Sequence, residues 1–105
     1  MRIILSRSAT HYLQQEASYL KSHNPNAAAK FVALFRDAKR RLSLFPEVGT
    51  KELHLPIPGS RTLVAGDYLL DYEIRNGEII IFSIRHGKMK PMPIDNDESD
   101  SAFDE

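Results

Sequence analysis

The chain has 105 residues, with 14 Lys and Arg against 14 Asp and Glu, and it contains neither cysteine nor tryptophan. That length suits one small domain with one core and excludes two full domains. The missing thiols exclude a disulfide-stapled scaffold and every zinc site built on thiolates. No apolar run approaches the roughly 20 residues needed to span a bilayer, and residues 1–6 are too short for a signal peptide, so a cytoplasmic protein away from membranes is expected.

The balanced charge hides a polarity. Residues 95–105 carry six acids and no base, whereas residues 1–94 carry fourteen bases against eight acids, a net charge of +6. This divides the chain into one domain over 1–94 and an acidic tail over 95–105 that is too polar to bury a face and is expected to be disordered alone. The tail reads either as a solubilising terminus or as a segment that folds back on a basic surface and competes with an anionic ligand. A basic body leans toward an acidic partner.

Residues 2–6, rich in branched apolar side chains, predict a short strand. Ser8 then serves as an N-cap, and Ala9, Tyr12, Leu13, Ala17 and Leu20 form one stripe of an amphipathic helix. Asn24 and Pro25 break that helix and start the next, because Asn caps well and Pro suits the first helical position, where its missing N–H would have no partner. The second helix runs over 25–44, with Ala28, Phe31, Leu34, Phe35, Ala38, Leu42 and Phe45 on its apolar stripe. The two helices form an antiparallel hairpin.

Residues 46–60, with three prolines and two glycines, read as a connecting loop. From Arg61 the period becomes two. Strands are predicted over 61–64, 67–75 and 78–86, the last two joined by a type I′ turn at Asn76–Gly77. The register set by that turn places Tyr68 opposite Arg85, Leu70 opposite Ser83, Tyr72 opposite Ile81 and Ile74 opposite Ile79 on the face toward the helices. It places Asp67 opposite His86 and Asp71 opposite Phe82 on the other face. The sum is a two-layer α+β domain of order β-α-α-β-β-β, an antiparallel helical hairpin on a small, mainly antiparallel, four-stranded sheet.

Several fragments then stand in a telling order. They are the opening strand, Asn24-Pro25-x-Ala27-Ala28, Leu42-x-x-Phe45-Pro46-x-x-Gly49, Gly59-x-Arg61, Tyr68-x-x-x-Tyr72 and Ile84-Arg85-His86-Gly87-Lys88. Over about residues 2–90 the chain resembles the ParE/RelE superfamily of bacterial toxins, and within it the ParE branch, often labelled plasmid stabilisation proteins. The resemblance implies a cytoplasmic toxin of a type II toxin–antitoxin system, neutralised by a cognate antitoxin that wraps a largely helical segment around it. ParE-type members are associated with poisoning DNA gyrase, and RelE-type members with cleaving mRNA on the ribosome.

Chemistry separates the branches. Attack of a ribose 2′-OH needs a proton acceptor, a donor for the leaving oxygen and cations for the phosphate. A ribonuclease site here would draw on Arg61, Arg85, His86 and Lys88, with Lys90 nearby. Arg61 matches by position the arginine that ribonuclease members use for phosphate, and His86 is the candidate general acid or base, with Asp67 set to orient its ring. The bland alternatives are an exposed cross-strand Asp–His contact, Tyr68 packing against or stacking with Arg85, and Arg61 pairing with antitoxin acids. Lys51, Glu52 and His54 make no dense cationic cluster, and residues 88–93 lack a tyrosine. A gyrase inhibitor acting by protein binding without catalytic residues is therefore the leading expectation. A ribosome-dependent mRNA endonuclease, or a toxin relic that only binds its antitoxin, stands second.

The surface expected to bind target or antitoxin comprises Arg61, Tyr68, Arg85, His86, Lys88, Met89, Lys90 and Met92. No cofactor is expected: the four histidines lack metal-ligand spacing, and the glycines follow no phosphate-loop pattern. Arg36, Lys39, Arg40 and Arg41 line the second helix as a solvated face or as a contact for nucleic acid or an acidic partner, with Arg36 and Arg40 one turn apart.

Overall fold

Ser6 ends the first strand and starts the first helix. The computed structural model describes residues 1–87, and in it β1 (Arg2–Leu5) runs straight into α1 (Arg7–His23). Ser6 keeps an extended backbone and its Oγ accepts the Ala9 N–H at 3.0 Å. The same hydroxyl donates to the Phe82 carbonyl at 3.2 Å. The cap thus lies two residues before the expected Ser8, because the residue that is still extended at the end of the strand is Ser6 while Ser8 already lies within the helix.

Asn24 joins the helices alone. Its N–H reaches the Leu20 carbonyl at 2.6 Å to close α1, and its side chain accepts the Ala27 N–H at 3.2 Å to open α2 (Pro25–Leu44). The expected cap, the proline at the helix start and the 25–44 span all hold. Helix α2 buries Phe31, Ala38 and Leu42.

Four further strands follow: β2 (Thr50–Lys51), β3 (Arg61–Ala65), β4 (Tyr68–Arg75) and β5 (Glu78–His86). They form one sheet in the order β1-β5-β4-β3-β2, with β1 parallel to β5 and every other pair antiparallel. The expected α+β class and two-layer arrangement are observed, but the sheet has five strands where the sequence predicted four. Residues 50 and 51, expected in a loop, pair with Thr62 and Arg61.

The β4–β5 turn occurs where predicted. Asn76 and Gly77 both have positive φ, 53° and 75°, as a type I′ turn requires. The predicted register holds from the turn to Tyr72↔Ile81 and then fails. Asp71 pairs with Ser83, Leu70 with Ile84, Leu69 with Arg85 and Tyr68 with His86. Phe82 is an extra residue on β5, a β-bulge, and a bulge transfers every following side chain to the opposite face. Tyr68 therefore does not face Arg85, nor does Asp67 stand opposite His86 as expected. Ile84, 6% exposed, takes the place under the helices, while Arg85 passes to the open face.

The helices cover one face only. Ala9, Ala38 and Leu42 of the helices pack on Leu63, Leu70, Tyr72, Ile79, Ile81 and Ile84 of the sheet in a single core. The other face carries Val64, Leu69, Phe82 and the Asp71–Arg85 pair, in a groove that Glu52, His54, Leu55 and Pro56 also line.

Candidate interaction surfaces

The predicted residues fall into three separate places. The first is the end of the sheet at β2 and β3. Tyr72 is fully buried, and its hydroxyl donates to the Pro46 carbonyl at 2.7 Å while accepting the Gly49 N–H at 2.8 Å. Burial pushes the phenol up from its ordinary pKa of 10.0, and the Gly49 N–H opposes that shift. Arg61, opposite Tyr72 on β3, donates through Nη1 to the carbonyls of Glu47 at 3.1 Å and Gly49 at 2.8 Å. Gly49 is needed because a Cβ there would lie 2.7 Å from the Tyr72 ring and 3.0 Å from the Thr62 carbonyl. Pro46-x-x-Gly49, Arg61 and Tyr72 are one device, a loop clamped by a phenol and a guanidinium.

The second place is the open face. Asp71, 2% exposed, receives Arg85 on both oxygens: Nε reaches Oδ2 at 2.9 Å and Nη2 reaches Oδ1 at 3.0 Å. Thr62 Oγ1 donates to Oδ1 at 2.7 Å. The bonds to Asp71 raise the Arg85 pKa above its usual value against the opposing effect of burial. Together they satisfy a carboxylate that would be costly if left alone. The surrounding groove, about 780 Å³, has Leu55, Pro56, Val64, Leu69 and Phe82 on its walls and floor. Val64 is 60% exposed there.

The third place is the seam between helices and sheet. Tyr68 donates its hydroxyl to Glu16 Oε2 at 2.5 Å; its ring lies 4.8 Å from Phe31 and edge-on to His86 at 5.0 Å. Burial, then the bond to Glu16, drives the Tyr68 pKa far above 10.0. Tyr12 is raised in the same way, by burial and by the charge of Glu16. At neutral pH Tyr68 is a fixed hydrogen-bond donor and a poor proton source. The expected contact between Tyr68 and Arg85 is replaced by one between Tyr68 and His86.

Arg61, Arg85 and His86 do not share a site. Arg61 is level with Tyr72 and Arg85 with Leu69, about 10 Å apart along the strands. Arg61 lies on the helix side and Arg85 on the open side, whereas His86 borders the seam. Lys88, Met89, Lys90 and Met92 lie outside the described residues, as does the 95–105 tail. Among the described residues no group of three or more His, Asp or Glu could hold a metal ion, and no helix is long and apolar enough to cross a membrane.

Sequence reasoning did not single out Glu16 or the buried role of Asp71. Asp71 left a trace, an acid amid Leu69, Leu70 and Tyr72, but its partner was hidden by the bulge. Glu16 lies among ordinary polar positions of α1, and nothing in its spacing signals Tyr68.

Fold and surfaces define a small α+β domain in which Arg61 holds backbone carbonyls and Arg85 a buried carboxylate. The model of the ParE toxin of type II toxin-antitoxin systems, parDE, matches residues 3–91, and the chain belongs to that family. Among curated proteins none matches it. A solved chain described as the chromosomal ParDE TA system from P. aeruginosa superposes with a TM-score of 0.67 at 21% identity, covering 82% of this chain and 95% of that one. That likeness is one of fold.

Proposed function

We propose that this ParE-family chain arrests growth by binding DNA gyrase in the cytoplasm, without chemistry of its own, and that a cognate antitoxin neutralises it by covering the apolar groove of the open face and the helical hairpin. One observation carries the choice against RNA cleavage. Arg61 is engaged by the Glu47 and Gly49 carbonyls and Arg85 by Asp71, and the two guanidiniums face opposite sides of the sheet. Stabilising the charge on a reacting phosphate requires cations converging on one point, and these two diverge.

Purified toxin added to a supercoiling assay should inhibit gyrase, and equimolar antitoxin should restore it. Unaffected supercoiling alongside cleavage of translated message would assign the chain to the endonuclease branch. Antitoxin binding with neither effect would assign it as a relic.

A further inference from the structure

The basic character of the described body comes almost wholly from its helical layer. Residues 7–44 carry seven bases, Arg7, Lys21, Lys30, Arg36, Lys39, Arg40 and Arg41, against two acids, Glu16 and Asp37, a net charge of +5. Residues 45–87 carry four bases against six acids. Lys30, Arg36, Lys39 and Arg40 are exposed on α2. The ion pair within the hairpin joins Arg40 to Asp37, an exposed i, i+3 contact, and Lys39 lies 5.5 Å over the Phe35 ring. Like charges at this density repel one another and attract an anion.

The chain itself carries a fitting anion. Residues 95–105 hold Asp95, Asp97, Glu98, Asp100, Asp104 and Glu105 with no base. The end of β5 lies beside α2, since His86 shares a groove with Lys30, Phe31 and Leu34. Gly87, whose N–H reaches the Asp67 carbonyl at 2.6 Å, is the last residue before the connecting stretch. From there the seven residues 88–94 reach about 23 Å when extended, and Lys30 to Arg41 spans about 17 Å of helix. The open face is a poorer destination: Glu52 and Asp71 line its groove, and Asp71 already binds Arg85.

We infer that the acidic 95–105 segment docks in the same molecule on the cationic outer face of α2, centred on Arg36 and Arg40, and screens that face from other polyanions. The contact is electrostatic and so depends on salt, because the Debye length falls from about 10 Å at 0.1 M to about 3 Å at 1 M.

The chain has no cysteine, so Ser101→Cys accepts one nitroxide on the full-length protein. Isotope-labelled chain diluted in unlabelled chain then reports contacts within one molecule. At low salt the amides of residues 30–41 should lose roughly twofold or more in peak height, recovering as the Debye length shrinks toward about 3 Å. The double charge reversal Arg36→Glu with Lys39→Glu, both at exposed positions, should abolish the effect and leave the core resonances unmoved. Neutralising Asp95, Asp97, Glu98 and Asp100 as amides should abolish it without touching the folded body. Losses centred on Val64 and Phe82, losses indifferent to salt, or losses surviving both sets of substitutions would overturn the proposal. So would an α2 face untouched by the tail but shifted by an added DNA duplex or acidic antitoxin peptide.

Discussion

The two faces of the sheet are built on different terms. Under the helices, Leu63, Leu70, Tyr72, Ile79, Ile81 and Ile84 are each at most 6% exposed, and the Tyr72 hydroxyl has both a donor and an acceptor. On the other face Val64 is 60% exposed, and the nearly buried charge of Asp71 is answered by Arg85 and Thr62. One face is packed shut; the other leaves apolar side chains exposed around a paired charge, the kind of patch that marks interaction surfaces. Gly49, Arg61 and Tyr72 belong to the first face and its rim, where they hold the loop after α2.

Substitutions can break this contrast. Tyr72→Ala should cost about 3–5 kcal/mol in denaturant unfolding, as large aromatic deletions in cores do. Tyr72→Phe, which strands the Gly49 N–H and the Pro46 carbonyl, should cost about 1–3 kcal/mol. Asp71→Ala leaves Arg85 without its carboxylate. A fully buried pair would lose about 3–5 kcal/mol, but the Arg85 side chain is 38% exposed, and water reduces the expected loss to about 1–3 kcal/mol. Gly49→Ala should cost about 1–3 kcal/mol through overpacking on Tyr72. Val64→Ser, on the open face, should stay within about 0.5 kcal/mol of the parent while weakening antitoxin capture in a titration. A Val64 variant that unfolds as readily as the Tyr72 variants would erase the distinction between the faces.

Alkaline pH gives a finer probe. Tyr12, Tyr68 and Tyr72 all have folded pKa values raised above 10.0. The folded state therefore holds these protons more tightly, and stability is lost as pH rises above about 10, where the unfolded phenols ionise first. Urea midpoints should fall from that pH upward, and Tyr68→Phe should flatten part of the fall. A midpoint that rises with pH there would contradict the burial of these phenols.

Much of the fold was legible because local signals agreed: Asn24-Pro25 for the helix junction, Asn76–Gly77 for the hairpin, and the α2 stripe as far as Leu42, although Phe45, expected on it, caps the helix and is 63% exposed. Two features were hidden for physical reasons. Residues 50 and 51 lack a strand's alternation, and they pair because Tyr72 and Arg61 hold the preceding loop. The Phe82 bulge leaves no mark in composition, yet it decides which face receives Arg85. For the site, the residue types of Arg61, Tyr68, Arg85 and His86 were evident in the sequence, but their grouping was not, because grouping depends on the register that the bulge changes.

The central claim, toxicity by binding without RNA cleavage, is tested most directly by inducing the chain without antitoxin and reading plasmid topology and message integrity from the same culture. Disturbed supercoiling with intact messages is the predicted result. Normal supercoiling with messages cut within translated frames would contradict it.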